Sequence, residues 1–294
     1  MSIAFTKMHG LGNDYLFIEA AKFPVQDPAE LSRRMSHRHL GVGADGIILV
    51  MPGENTEFKM RIFNADGSEA ETCGNGIRCF AKYVYERKMT GKKEFVIETL
   101  AGPNRVTLAT DGGKVVAVRS NMGRPRFERA EIPMIGPPGR VIEEDLDLGD
   151  SVVKITCANI GNPHAVIFVD DATKAPLPEI GPKVENHPKF PQRTNVEFVT
   201  VRDRQNIVMR IWERGSGITM ASGSGACGAS LASMITGRVN RKINVHLVYG
   251  VLAIEWAEDD LVYQEGPATE VFTGMWKAVG CGLEAGMGGK HDQS

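Results

Sequence analysis

Two short segments of this chain combine a proton-carrying side chain with the composition of a helix start. Cys73-Gly74-Asn75-Gly76 and Ser222-Gly223-Ser224-Gly225 each set such a side chain before small residues that let it project from a tight turn. The same turns leave the peptide N–H groups of Gly74, Asn75, Gly223 and Ser224 available to an anion, because the first N–H groups of a helix have no partner inside it. A helix N-terminus also favours thiolate over thiol, which gives Cys73 a physical route to basicity. Two opposed proton-transfer groups suit inversion at an α-carbon, where one face loses a proton and the other gains one. A carboxylate held between the turns would be stabilised by both sets of donors as charge develops during deprotonation. A single covalent nucleophile leaves the symmetry unexplained, whereas cofactor-free racemisation fits it.

The elements that must position these turns repeat as well. The two segments lie 149 residues apart, about half of the 294-residue chain. At that same offset Phe58 to Asn64 falls on Ile207 to Glu213, Gly12-Asn13 on Gly161-Asn162, and Ile48-Leu49-Val50 on Glu197-Phe198-Val199. A fixed long period is the mark of a duplicated unit, here two similar α/β units whose equivalent loops face each other across a cleft. Ile77, Phe80, Ala81 and Val84 recur at helical spacing after Cys73, with Arg78, Lys82 and Glu86 falling elsewhere, so a helix begins at the glycine-rich turn. Ala226, Ala229, Ser230 and Ser233 suit a second helix packed closely inside a curved sheet. Residues 28 to 39 read as another helix, with Pro28 in its first turn. Strands are expected around Ile3 to Lys7, Tyr15 to Ile18 and Phe58 to Phe63, and antiparallel pieces from Phe95 to Val118. The proline-rich stretch 123–150 reads as a connection holding a domain boundary.

Composition removes several classes of function. With 34 Lys plus Arg against 36 Asp plus Glu, the net charge of -2 offers no overall attraction to nucleic acid or an anionic membrane. No apolar run reaches the length of a membrane span, and the first residues lack the order of a signal peptide, so a cytoplasmic protein is expected. Five cysteines without close CxxC pairs argue for free thiols over a disulfide scaffold or zinc site. His37 and His39 form no metal motif. Gly41-Val42-Gly43-Ala44-Asp45-Gly46 fits the dinucleotide fingerprint only in letters, since a helix precedes it and a strand follows, the reverse of the required order. A turn presenting part of a substrate pocket suits it better, while Arg33, Arg34 and Arg38 read as one solvated helical face.

The chain resembles the diaminopimelate epimerase family over nearly its full length. The resemblance is carried by Lys7 to Asp14, Arg61 to Glu69, Cys73 to Cys79, Asn162-Pro163-His164, Thr194 to Phe198, Glu213-Arg214-Gly215 and Gly266-Pro267-Ala268. It implies an α/β fold of two similar pseudo-symmetric domains, each a curved mixed or antiparallel sheet around a central helix, with the active site in the cleft between them. Residues 1–118 plus a returning 264–294 would form one domain and 119–263 the other. It further implies an isomerase, independent of PLP and of metal, that converts LL-2,6-diaminopimelate to the meso form in lysine biosynthesis, with a homodimer as a plausible assembly. Cys73 matches the family's first catalytic thiol. Asn13, Asn64, Asn162, Asn195, Glu213 and Arg214 match substrate contacts, and Gly74, Asn75, Gly223 and Ser224 match the backbone cradle. A guanidinium such as that of Arg214 can grip a carboxylate with two bonds, while Glu213 can accept from an ammonium group.

One position breaks the pattern. Ser222 stands where the family has its second catalytic cysteine, and Cys227 lies five residues deeper in the expected helix. A thiol has a pKa of about 8.5 that can be tuned towards neutrality, whereas a serine hydroxyl has no comparable acidity. Losing a general acid or base worth about 10²- to 10⁴-fold removes about 3 to 5 kcal/mol of transition-state stabilisation. An introduced Cys-to-Ser substitution or a natural relative with altered chemistry would each account for it. The alternatives are therefore a racemase or dehydratase of another amino acid, or a catalytically silent amino-acid-binding relative. Ile218, and the turn Val248-Tyr249-Gly250, also depart from the family.

Overall fold

Residues 2–277 are described by a computed structural model. The alternating opening segment forms β1 (Ser2–Gly10) and β2 (Asn13–Glu19), joined by Leu11 and Gly12 at φ 58° and 98°. Positive φ at both central residues gives a turn whose twist matches that of the flanking strands. A leucine there costs roughly 1 to 2 kcal/mol. Burial of the Leu11 side chain in the core around the second central helix offsets that cost, at about 2 kcal/mol for a fully buried leucine. The turn is thereby tied to the distant half of the chain.

Helix α1 (Pro28–Ser36) starts with its proline in the first turn and the Asp27 carboxylate accepting from Glu30 N–H, and it stops short of residue 39. Next come β3 (Gly46–Pro52), β4 (Phe58–Asn64) and the short β5 (Glu69–Ala70), then α2 (Gly74–Glu86), capped by Cys73. Three antiparallel strands follow, β6 (Glu94–Thr99), β7 (Gly102–Asp111) and β8 (Lys114–Gly123). The connection expected over 123–150 contains one strand, β9 (Glu144–Asp147).

The second half runs through the same sequence of elements: β10 (Val152–Asn159), β11 (Pro163–Phe168), α3 (Leu177–Glu185), β12 (Asn195–Asp203), β13 (Asn206–Glu213) and β14 (Gly217–Thr219). Helix α4 (Gly223–Ile235), capped by Ser222, leads to β15 (Lys242–Leu247), β16 (Gly250–Trp256), β17 (Val262–Gly266) and β18 (Thr269–Lys277). Helices α1 and α3, strands β3 and β12, and helices α2 and α4 begin 149 residues apart, the offset of the sequence repeat.

The strands form one mixed ladder. From one end it runs β18, β1, β2, β3, β4, β6, β7, β8, and there β8 pairs antiparallel with β17. From β17 it continues β16, β15, β13, β12, β11, β10, β9. The ends are exchanged. Strand β9 follows the first set of strands yet pairs with β10, and β18 follows the second set yet pairs with β1. The part of the expected returning segment from 278 to 294 lies outside the described residues.

Curvature of the ladder wraps each half around a helix. Ile77, Phe80, Ala81 and Val84 of α2 pack among residues of β1 to β8. Ala226, Ala229, Leu231 and Ala232 of α4 pack among residues of β10 to β17. Helices α1 and α3 cover the opposite faces through separate apolar clusters. Among the described residues no helix is long and apolar enough to cross a membrane.

Candidate active site

The N-termini of α2 and α4 converge. Ser222 and Cys73 are their caps: Ser222 Oγ accepts from Gly225 N–H at 3.1 Å, and Cys73 Sγ from Gly76 N–H at 3.4 Å. Asn75, in the first turn of α2, donates through Nδ2 to Asn13 Oδ1 at 3.2 Å and to the carbonyl of Ala221, next to Ser222, at 3.4 Å. Gln264 of β17 is pressed against both helix starts. A β-carbon at Gly74 would lie 2.1 Å from its Nε2 and one at Gly223 2.8 Å from its Oε1, so a side chain at either position would displace the end of Gln264.

Cys73 is half-buried and set as a thiol. Its S–H donates to Asn13 Oδ1 at 3.5 Å, and its sulfur accepts from the Tyr15 hydroxyl at 3.5 Å. Asn13 cannot readily offer its amide instead, because Nδ2 donates to Asp45 Oδ2 at 2.7 Å. A carbonyl facing the sulfur suits S–H and opposes thiolate. Burial pushes the Cys73 thiol up, and outweighs the downward pull of Tyr15, the Gly76 and Asn75 N–H groups and the Arg78 charge. The helix start alone suggested a basic sulfur, and desolvation reverses that expectation.

Around Ser222 the polar groups come from β11, β12 and β13. Burial pushes the Glu213 carboxyl up, against the pull of the neighbouring Ser222 hydroxyl. Asn162 Nδ2 donates to Ser224 Oγ at 3.3 Å, and its Oδ1 accepts from His164 Nε2 at 2.8 Å. With Nε2 so engaged, His164 Nδ1 meets Glu197 Oε1 at 2.6 Å, and both side chains are fully buried. Burial drives the Glu197 carboxyl up, against the downward pull of the neighbouring His164 ring. Asn195 Oδ1 accepts from Arg214 N–H at 3.0 Å, and its Nδ2 donates to Pro163 O at 2.8 Å.

The expected site residues therefore fall into three settings. Cys73, Asn13, Asn75 and Gly74 join Gly223 and Ser222 through Asn75 and Gln264, while Asn162, Ser224 and Glu213 adjoin Ser222. Asn195 shapes the turn that carries Arg214, whose guanidinium donates to Gln192 O at 3.1 Å. Asn64 makes its side-chain bond within its own turn, to Ser68 Oγ at 3.0 Å. Sequence reasoning missed four participants. Tyr15 follows the Asn13-Asp14 motif and falls on His164 at the 149-residue offset. Gln264 occupies the inward phase of a strand otherwise apolar at that phase, a legible signal. Arg78, expected away from the apolar face, is fully buried. Arg38, expected on a solvated helical face, lies beyond α1 and pairs with Asp14 at 3.2 Å and Asp45 at 2.8 Å. Among the described residues no group of three His, Cys, Asp or Glu side chains is arranged to hold a metal.

Chemically, the site offers a neutral thiol on one side, a hydroxyl beside a carboxyl on the other, and helix N–H donors between. A family profile for diaminopimelate epimerase matches residues 5–128 and 156–271. The diaminopimelate epimerase of Moorella thermoacetica is 52% identical, with 92% of this chain and 98% of the relative covered. That of Methanococcus maripaludis is 48% identical over the same shares. Among solved structures, a PhzF-family phenazine biosynthesis protein of Enterococcus faecalis aligns at TM-score 0.68 and 13% identity, covering 94% of this chain and 100% of that one. A probable proline racemase of Agrobacterium radiobacter aligns at 0.67 and 14%, covering 96% and 94%. These two likenesses concern the fold alone. By profile and by near-full-length identity, the chain belongs to the diaminopimelate epimerase family.

Proposed function

We propose that this chain binds 2,6-diaminopimelate between the starts of α2 and α4 and interconverts its LL and meso forms by proton transfer at one α-carbon. Cys73 and Ser222 take the two opposed positions. The two repeats act as domains, 1–118 with the segment that returns from 264, and 119–263, and the ligand lies in the cleft between them. The carrying observation is that residues 73 and 222 cap two helices whose starts meet through Asn75, Ala221 and Gln264.

The α-carboxylate lies against the N–H groups of Gly74, Asn75, Gly223 and Ser224, where positive helix ends favour negative charge. As the α-proton leaves, charge spreads onto that carboxylate and the same donors bind it more tightly. Asn64, Asn162, Asn195, Glu213 and Arg214 contact the substrate chiefly at its distal amino-acid end, and Asn13 contacts it beside Cys73. Cys73, once ionised, takes the α-proton from one face of the carbon and becomes a thiol, which returns that proton or one exchanged with solvent to the same face. Ser222 faces the other with Glu213 beside it, and a serine hydroxyl is too weak an acid to match a thiol, so exchange at Cys73 outpaces full inversion.

Incubation with diaminopimelate in D2O tests this reading by NMR. Deuterium enters the α-position, faster than configuration inverts, and Cys73→Ser abolishes it. Binding without exchange would favour the silent relative that the loss of sulfur at position 222 also suggests.

A further inference from the structure

A buried cation that the proposed mechanism does not use lies at the meeting point of the two helix starts. Arg78, in the second turn of α2, is fully buried. Its guanidinium donates to Asn75 Oδ1 at 2.7 Å, Gln264 Oε1 at 3.2 Å, Pro267 O at 3.2 Å and Gly74 O at 3.4 Å. All four acceptors are neutral, and among the described residues no carboxylate pairs with it. The ionisable groups its charge reaches are the thiols of Cys73, Cys79 and Cys227. A buried charge without a counter-ion is costly to keep, and a fold that keeps one leaves an anion to be supplied from outside.

The repeat sharpens the point. At the 149-residue offset, Arg78 falls on Cys227. Arginine at both positions would set two cations near one junction, whereas the chain has one cation whose charge reaches the thiol at the equivalent site. Gln264 completes the arrangement. It touches the first residue of each helix, its Nε2 donates to Met122 Sδ at 3.0 Å, and that bond turns Oε1 towards Arg78.

We propose that Arg78 is a positioning residue that makes this junction selective for a carboxylate. Its charge stands behind both helix starts, and its bonds to Asn75 and Gln264 fix their spacing. The carboxylate part rests on the function proposed above. Two helix N-termini and a cation in a low-dielectric interior act in the same direction. The same charge favours ionisation of Cys73. The other groups that bear on that sulfur are Tyr15 of β2, Cys79 of α2 and, through Asn13, Asp45.

Gln264→Glu tests the assignment, because it is nearly isosteric and sets a carboxylate against Arg78 without emptying the core. Two measurements are made on folded protein: the pH dependence of Cys73 alkylation by iodoacetamide without ligand, followed on the Cys73 peptide, and diaminopimelate affinity by calorimetry. Neutralising the charge should lower the alkylation rate at a fixed pH below the thiol pKa about tenfold, the size of effect one nearby charge exerts. Diaminopimelate binding should weaken at least as much. Arg78→Lys, which keeps the charge but not the planar fork, should preserve the alkylation profile while loosening binding. An unmoved alkylation profile and unmoved affinity in folded Gln264→Glu would overturn the proposal. A shifted profile with diaminopimelate binding to no form of the protein would support the charge assignment and overturn the functional reading instead.

Discussion

Replacing a glycine inside a helix by alanine ordinarily stabilises a protein by roughly 0.5 to 1 kcal/mol. Gly228→Ala, near the middle of α4, should do the opposite. A β-carbon there would lie 2.6 Å from Cγ, 2.7 Å from Cβ and 3.0 Å from Cδ2 of His164. Those atoms sit next to the backbone of β11 and cannot swing aside like the end of a long side chain. The ring is also held on both edges, by Glu197 at 2.6 Å and Asn162 at 2.8 Å. Overpacking of this kind costs about 1 to 3 kcal/mol. Leaving a buried partner of the ring unsatisfied adds about 1 to 3 kcal/mol. Against the helix gain, the net loss is about 1 to 5 kcal/mol. Equilibrium urea unfolding followed by tryptophan fluorescence measures it. Gly91→Ala, where nothing lies within 4 Å of the added carbon, is the control and should change stability by less than about 1 kcal/mol. A Gly228→Ala protein as stable as its parent would mean that His164 has room to move that the packing denies it.

Two further outcomes follow from the thiols. Burial pushes Cys79 and Cys227 up to about 12 and Cys157 higher still, so iodoacetamide at pH 8 should label Cys73 among these four and spare the others until the protein unfolds, as peptide mass spectrometry would report. Labelling of Cys227 in the native state would contradict the packing of α4. Because burial holds Cys73 as a thiol above its ordinary range, exchange at the α-carbon should rise with pH, by up to tenfold per unit below the folded pKa. By linkage, the native-state advantage of the neutral thiol is complete below the unfolded value and disappears as pH rises through the folded one. A flat rate between pH 6 and pH 9 would show that Cys73 is already ionised.

The helix starts were legible because they are local. A cap, two glycines and an apolar period are contiguous in the chain, and α2 begins one residue after Cys73 as its spacing requires. The 149-residue repeat carried the correspondence of α2 with α4, while that of α1 with α3 emerges only in the structure. The return of the C-terminal segment followed from the family resemblance, and β18 pairs with β1, but the place of β9 was not legible, since nothing in Glu144-Asp145-Leu146-Asp147 says which strand it joins. Arg78 was misplaced for a related reason. A charged residue off the apolar stripe of a helix normally meets water, but α2 is wrapped by strands and has no watered face at that turn. The charge state of Cys73 is set first by its burial, which depends on strands and a second helix far along the chain that no local pattern contains.

Two-sided proton transfer requires residues 73 and 222 to address opposite faces of one carbon. Ser222→Cys isolates that claim, because it returns a titratable thiol to the second position and leaves Asn75, Gln264 and both helices unchanged. Steady-state conversion of LL- to meso-diaminopimelate should rise at least about 100-fold, the lower end of what a general acid or base contributes. An unchanged rate, in a folded protein that binds diaminopimelate as tightly as its parent, would mean that position 222 does not face the reacting carbon.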